Sequence, residues 1–185
     1  MPDKFRNKYL IPSSRLQNWD YSDNGYYFIT ICTKERKHYF GKIINHEIKL
    51  SNIGEITRQY WLEIPRHFSF VELDGFVIMP NHLHGILIIN NVHNGRCRDV
   101  INHVSTGDIN KNIYSKITPM NKHSLGKIIR WFKGRTTFEI RKIKIIFFWQ
   151  SRFYDHIIRS DKEFFRIRQY IKDNPMNWER DRNNL

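Results

Sequence analysis

The sequence predicts an α+β domain in which helices pack on an antiparallel sheet. Segments rich in aromatic and β-branched residues alternate with segments whose apolar residues recur at helical spacing, and turn residues separate them. The chain has 185 residues, including 13 Phe, 9 Tyr and 5 Trp. This size and content suit one domain with a sizeable apolar core.

The first half of the chain predicts an arm, two β elements and a helix. Residues 1–24 are polar and basic, which is typical of an irregular N-terminal arm. Residues 26–33 follow a glycine and predict a strand, and residues 39–50 predict a short hairpin or a second strand. Residues 51–64 carry isoleucines and a tyrosine at helical spacing, and Pro65 is expected to end that helix.

Two further strands are predicted in the middle of the chain. Residues 70–79 predict one strand and residues 82–89 the next, with a proline and an asparagine between them. Residues 90–121 are polar and only weakly periodic. They predict an inserted mobile loop and not a domain boundary.

The last third predicts helix, strand and helix. A basic amphipathic helix is expected from 124 to 137 and a strand over 142–149. Asp161 is expected to cap a helix that runs through Ile171 and ends near Asn174-Pro175. Residues 176–185 are expected to form a C-terminal tail. The element order β, α, β, β, α, β, α favours the ferredoxin-like or RRM-like class, with one domain over 25–175.

The charge balance favours a polyanionic partner. The chain has 31 Lys and Arg against 18 Asp and Glu, a formal net charge of +13. Nucleic acid is the leading candidate, and an anionic membrane surface is the weaker alternative. No apolar run approaches the ~20 residues that span a bilayer. Without a signal-peptide pattern, and with Cys32 and Cys97 alone, the sequence predicts a cytoplasmic protein.

His82 and His84 are the first candidate site residues. Residues two apart on a strand point to the same face, so both imidazoles should project together, with Leu83 on the other face. Two neutral imidazoles side by side can ligate a divalent metal. Two ordinary histidines on a half-exposed sheet face are an equally good interpretation of this pair alone.

Tyr170 and Asn174 are the second candidate pair. They lie one helical turn apart, beside an apolar stripe formed by Ile167 and Ile171. A tyrosine at the edge of a buried face can present its oxygen to a cleft, but it is more often a core tyrosine with a satisfied hydroxyl. Asn174 before Pro175 would ordinarily be a helix terminator.

Four motifs in this order carry a resemblance to a known family. They are Met79-Pro-Asn-His-Leu-His84, the basic helix around residues 125–133, Trp149-Gln-Ser-Arg-Phe-Tyr-Asp-His-Ile-Ile-Arg159, and Tyr170-Ile-Lys-Asp-Asn-Pro175. The set resembles the single-tyrosine HUH transposases of bacterial insertion sequences, and among them the REP-associated tyrosine transposases. The resemblance runs from about Gly25 to Pro175.

The resemblance implies an RRM-like catalytic domain that cuts and rejoins single-stranded DNA, often beside a hairpin. It implies Tyr170 as the nucleophile that forms a 5′-phosphotyrosine link. It implies a divalent metal, Mg²⁺ or Mn²⁺, held by His82, His84 and Asn174. Basic residues of the second and third motifs are expected to contact the DNA backbone, namely Lys127, Arg130, Lys133, Arg152 and Arg159.

Several alternatives stay open on the sequence. A non-catalytic RRM-like nucleic-acid-binding protein would have the same fold and charge, and a host-domesticated nuclease would have the same site. The family contains monomers and dimers with exchanged tyrosine helices, so a homodimer is also open. No membrane partner is expected. The preferred metal and the recognised DNA sequence are not encoded in these motifs.

Overall fold

The structure, a computed structural model, describes residues 4–5, 8–9, 19–91 and 124–184. Most of the predicted arm and nearly all of the predicted loop 90–121 therefore lie outside the described residues, and so does Cys97.

Eight strands and four helices are formed by the described residues. In chain order they are β1 (Lys4–Phe5), β2 (Lys8–Tyr9), β3 (Gly25–Cys32), β4 (Gly41–Ile44), β5 (Glu47–Leu50), α1 (Asn52–Leu62), α2 (Ile64–His67), β6 (Val71–Ile78), β7 (His82–Ile89), α3 (Leu125–Lys142), β8 (Tyr154–Ile158) and α4 (Asp161–Asp173). Single 3₁₀ turns lie at Lys34–Arg36 and Trp178–Arg180.

The central sheet has four antiparallel strands in the order β6-β7-β3-β8. With α1 and α3 as its connections, the sequence β3-α1-β6-β7-α3-β8 is the βαββαβ order of the ferredoxin-like class. The predicted α+β fold with helices on an antiparallel sheet is confirmed. The hairpin predicted within 39–50 is formed by β4 and β5.

The two faces of the sheet pack against different helices. Ile29, Ile31 and Leu83 point into the main core, together with Trp61 of α1 and Phe132 of α3. The alternate residues point to the other face, where a smaller cluster joins Phe28 and Ile86 to Ile167 and Ile171 of α4. The period of two along each strand therefore separates a structural face from the face that α4 covers.

The prediction of a strand over 142–149 is wrong. Helix α3 continues to Lys142, because its buried stripe extends through Thr136 and Ile140. Beyond it, only Trp149 pairs with the sheet, through an isolated bridge to Thr33. The place beside β3 is taken by β8 instead, so residues 145–148 keep an alternating pattern without a strand partner.

Helix ends differ from the prediction in two places. Pro65 does not end the helical path, because it lies in the first turn of the short helix α2, where a missing N–H costs little. Helix α4 is capped by Ser160, whose hydroxyl accepts from Glu163 N, one residue before the predicted cap Asp161. Among the described residues, none of the helices is long and apolar enough to cross a bilayer.

Gly85 provides a test of the packing between α1 and the sheet. A Cβ on Gly85 would lie 2.4 Å from a ring carbon of the fully buried Trp61, whereas a Cβ on Gly75 would meet nothing within 4 Å. We expect Gly85→Ala to lower the free energy of unfolding by about 1–3 kcal/mol in urea titrations. Gly75→Ala is the matched control in the same sheet, and equal losses for both variants would contradict this packing.

Candidate functional site

His82 and His84 lie side by side on β7, as the sequence predicts. Their ring centroids are 4.5 Å apart, and both side chains are essentially buried. Leu83 points to the opposite face and into the main core. Pairing with β3 places Thr30 opposite His84 and Cys32 opposite His82, so the pair sits in the middle of the sheet.

The tautomer of His82 is fixed by Asn81. The Asn81 amide nitrogen donates to the backbone oxygens of Arg36, at 3.1 Å, and Asn183, at 2.8 Å. Its amide oxygen therefore faces His82 Nδ1 at 2.8 Å and can only accept. Nδ1 must carry the hydrogen, which leaves the lone pair of His82 on Nε2.

His84 bridges the sheet and the tyrosine helix. Its Nδ1 lies 2.8 Å from Thr30 Oγ1, and its Nε2 lies 3.2 Å from the phenol oxygen of Tyr170. In the tautomer whose Nδ1–H donates to Thr30, Nε2 accepts from the Tyr170 hydroxyl. Both histidines then direct their Nε2 lone pairs away from the sheet.

The pKa values of both histidines favour the neutral, ligating form. Burial lowers the pKa of His82 to about 3, and the charges of Arg36 and Arg182 act in the same direction. Burial, and next the neighbouring His82, hold the pKa of His84 well below its usual range. Neutral imidazole is the form that binds a metal.

Asp181 is a third candidate ligand that the sequence analysis missed. Its Oδ2 lies 3.6 Å from His82 Nε2, and ligand atoms of His82, His84 and Asp181 all lie within 4.8 Å of one another. The residue belongs to the segment 176–185, for which only a tail was expected. Its single hint in the sequence is an acidic residue between two arginines, Arg180 and Arg182.

Asn183 and Trp178 hold this tail against the histidines. Asn183 N donates to Asp181 Oδ1 at 2.7 Å, its backbone oxygen accepts from Asn81, and its side-chain oxygen accepts from the Arg36 guanidinium. The Trp178 ring stacks near His82, with centroids 6.0 Å apart. The carboxylate of Asp181 is therefore oriented by its neighbours before any ligand arrives.

Tyr170 and Asn174 project from α4 over the histidines. Tyr170 is 44% exposed, and its ring makes edge contacts with His84 and Phe28. Burial raises the pKa of the Tyr170 phenol, and the charge of Asp181 adds to this, whereas Arg182 and a hydrogen bond with the Asn174 side chain lower it. Tyr170 thus meets His84 within one chain, and Asn174 contacts Tyr170.

The residues at this site fit a divalent cation. Around the histidines and the tyrosine helix, three buried acceptor atoms have no hydrogen-bond partner among the described residues, namely His82 Nε2, Asp181 Oδ2 and Asn174 Oδ1. Buried polar atoms are normally paired, so an unpaired imidazole nitrogen 3.6 Å from an unpaired carboxylate oxygen is the arrangement that a cation would satisfy. Ligation by Asn174 itself stays a prediction.

The predicted DNA-binding residues lie on α3 and around β8. Lys127 is partly buried, whereas Arg130, Arg152 and Arg159 are exposed. Lys133 is turned inward, where Nζ donates to the backbone oxygens of Gln150 and Arg152 at 2.7 and 3.0 Å. Burial lowers the pKa of Lys133 to about 8. DNA contact by these five residues stays a prediction.

Comparison with known proteins finds one sequence relative and a similar solved structure. An uncharacterized protein of Haemophilus influenzae strain Rd is 40% identical over 170 residues, which cover 91% of this chain and 90% of that protein. No family model matches the chain.

The similar solved structure is that of a REP-associated tyrosine transposase bound to a REP hairpin. It matches with a TM-score of 0.57 and 18% identity over 90% of this chain and 74% of that one. A candidate transposase of Deinococcus radiodurans covers 87% of this chain and 97% of its own at 13% identity, with a TM-score of 0.46, too low to bear on the fold. The fold implied by the sequence resemblance is therefore confirmed.

The buried histidines predict a pH dependence of stability in the metal-free protein. The unfolded chain protonates both residues near pH 6.5, whereas the folded chain does not, so acidification favours unfolding. Between pH 6.5 and 5 we expect the free energy of unfolding to fall by about 1.4 kcal/mol per pH unit for each histidine. Chemical denaturation in EDTA measures this slope.

His82→Asn should flatten this slope, whatever its effect on the absolute stability. His46→Asn, in the exposed turn between β4 and β5, is the control and should leave the slope unchanged. A wild-type protein whose stability is constant from pH 6.5 to 5 would contradict the buried neutral pair.

Metal binding gives a second test of the site. We expect Mn²⁺ to raise the melting temperature of the protein, and Asp181→Asn to weaken Mn²⁺ binding by about 10- to 100-fold in calorimetric titrations. Asp173→Asn is the charge-matched control, since the Asp173 carboxylate, within the described part of the chain, bonds the Gln169 side chain. Equal affinities for the two variants would exclude Asp181 as a ligand.

Proposed function

We propose that this chain, which belongs to the same family as the Haemophilus influenzae protein and has the fold of a REP-associated tyrosine transposase, nicks and rejoins single-stranded DNA. One observation carries the proposal. The Tyr170 phenol oxygen lies 3.2 Å from Nε2 of His84, beside His82 and Asp181. A candidate nucleophile thus lies against a candidate metal centre, which is the pairing that such chemistry requires.

The proposed metal ligands are His82, His84 and Asp181, with Asn174 as a further oxygen donor. Bound there, Mg²⁺ or Mn²⁺ supplies a Lewis acid that polarises the scissile phosphate. The chain contributes the orientation of these ligands through Asn81, Thr30 and Asn183, which fix two imidazoles and a carboxylate in advance.

Tyr170 is the proposed nucleophile. Its phenol oxygen attacks the phosphorus and loses its proton, a new oxygen–phosphorus bond forms, and the bond from phosphorus to the 3′ oxygen breaks. The products are a 5′-phosphotyrosine and a 3′-hydroxyl that has taken up a proton. Because the phosphodiester energy is retained in the protein link, a second 3′-hydroxyl can reverse the step without ATP.

The environment of Tyr170 suits a nucleophile that is held inactive until the site is assembled. The phenol oxygen lies 3.2 Å from His84 Nε2, and burial and the Asp181 charge raise its pKa. A metal held by His84 Nε2 would replace this contact and leave the phenol free to face the substrate. Tyr170 is half exposed, so the scissile phosphate approaches from its side of the centre.

The proposed substrate is single-stranded or hairpin DNA. The solved neighbour holds a REP hairpin, and the net charge of +13 suits a polyanion. Lys127, Arg130, Lys133, Arg152 and Arg159 are the proposed backbone contacts. Tyr170 and the histidines meet within one chain, so the proposed reaction does not require a homodimer with exchanged helices.

The alternative, a non-catalytic nucleic-acid-binding protein, is not favoured. Each unpaired buried acceptor costs about 1–3 kcal/mol. Three of them lie around the histidines and the tyrosine helix. A protein that only binds nucleic acid has no use for these unpaired acceptors. A metal-dependent enzyme uses them as ligands, and the bound ion would offset their cost.

Covalent trapping tests the proposal. Incubated with a labelled pool of single-stranded hairpin DNA and Mn²⁺, the wild-type protein should form a protein–DNA adduct on a denaturing gel. Tyr170→Phe should abolish the adduct because it removes the attacking oxygen. His82→Ala should reduce it at least 100-fold, because metal ligation is lost.

Tyr26→Phe is the matched control, since the Tyr26 ring also packs against α4, through Phe164, but pairs across the sheet with Ile88, four residues along β7 from His84. It should leave the adduct unchanged. Retained DNA binding with no adduct or nick in the wild-type protein would favour the non-catalytic alternative.

A further inference from the structure

A second surface, outside the proposed catalytic centre, lies where α3 ends. Its cavity of about 730 Å³ is lined by the last turns of α3 and by residues 147–149. We call it the Phe138–Phe148 surface, and define it by Phe138, Arg141, Lys142, Ile146 and Phe148. None of these residues belongs to the proposed metal site.

Large apolar side chains are exposed here for a structural reason. Residues 145–148 alternate as a strand does but lack a strand partner, so alternate side chains point inward and outward. Phe147 is fully buried, whereas Phe148 is 46% exposed and Ile146 is 76% exposed. Phe138, on the last turns of α3, is 56% exposed.

Cations surround these rings. Lys142 Nζ lies 4.7 Å from the centre of the Phe138 ring, and the Arg141 guanidinium lies 5.4 Å from that of Phe148. Lys34 Nζ lies 5.5 Å from the centre of the same Phe148 ring. Aromatic rings that can stack on bases, next to cations that can bind phosphates, are the combination that binds unpaired nucleotides.

The acidic groups near the surface do not cancel its charge. Glu139 is shared by Arg135 and Lys142, and Glu35 is shared by Lys34 and Lys37. Each carboxylate thus has two cationic neighbours, and Arg141 adds a further positive charge. An apolar protein partner would have to bury these charges, whereas a phosphate backbone would neutralise them.

The surface is also linked to the catalytic centre through the sheet. Lys34 N donates to Phe148 O, and Gln150 N donates to Cys32 O, both at 2.9 Å. Cys32 is the partner of His82 across β3 and β7. With strands about 4.8 Å apart, the backbone at Gln150 lies roughly 10 Å from that of the histidine strand.

We propose that the Phe138–Phe148 surface binds unpaired nucleotides of single-stranded DNA. Bases stack on the two phenylalanine rings, and phosphates pair with Arg141 and Lys142. The choice of DNA over RNA as the bound nucleic acid rests on the proposed function. The inference extends that function by giving the DNA a second anchoring point beside the histidine strand.

Binding measurements in a cleavage-free background test this surface. In Tyr170→Phe protein, fluorescence anisotropy with an unstructured oligo-dT should show that Phe148→Ala weakens binding about tenfold. Arg141→Gln should weaken binding and reduce the slope of log affinity against log salt by about 0.7, as expected for one lost phosphate contact. Phe148→Trp should restore the affinity that Phe148→Ala loses.

Phe165→Ala is the matched control, because Phe165 is 61% exposed on α4 and lies away from this surface. Added to the Tyr170→Phe protein, it should leave the affinity for oligo-dT unchanged. Melting temperatures check that all variants fold. In the Tyr170→Phe protein, an iodouracil oligonucleotide should form a photocrosslink within the peptide that contains Phe148.

Three outcomes would overturn the inference: equal affinities for Phe148→Ala and Phe165→Ala, tighter binding of a matched RNA, or self-association that Phe148→Ala abolishes. Failure of the proposed reaction is a separate result. The wild-type protein could make no adduct and still bind DNA in a way that depends on Phe148. That result would contradict the proposed reaction but support nucleotide binding at this surface.

Discussion

The side-chain amide of Asn81 is the interaction on which the candidate site depends. Its nitrogen donates to the backbone oxygens of Arg36 and Asn183, and its oxygen accepts from His82. One residue thereby fixes an imidazole tautomer and ties the C-terminal tail to the histidine strand. Without the tail, Asp181 would not be held beside His82, and the ligand set would lose its carboxylate.

The sheet separates the tasks of stability and chemistry between its two faces. One face packs against α1 and α3 in the main core, and it includes Leu83 between the histidines. The other face carries His82 and His84 beneath α4 and the tail. Because the strand backbone is fixed by the core on one side, the two imidazoles on the other side are pre-positioned with little freedom left to lose on binding.

Local patterns predicted the parts of the site that follow from short-range periodicity. The alternation around Leu83 placed both histidines on one face, and helical spacing placed Asn174 one turn after Tyr170, next to a buried stripe. Asp181 could not be found in this way. Its position depends on hydrogen bonds from the tail to residues about 100 and 150 positions away, and no local period encodes such contacts.

The same limit explains the strand expected over 142–149. The alternation there is real and directs Phe147 inward and Phe148 outward. A strand, however, needs a partner, and β3 pairs instead with the segment 154–158. The β-propensity of residues 142–149 indicated an extended segment. Tertiary contacts decided which of the two segments, 142–149 or 154–158, pairs with β3.

Crystals of the protein grown with Mn²⁺ would test the central claim most directly, through anomalous scattering at the manganese edge. We expect one strong peak within ligand distance of His82 Nε2, His84 Nε2 and Asp181 Oδ2, with the Tyr170 oxygen of the same chain beside it. A peak that lacks Asp181 or either histidine, or a Tyr170 distant from the metal in its own chain, would contradict this claim.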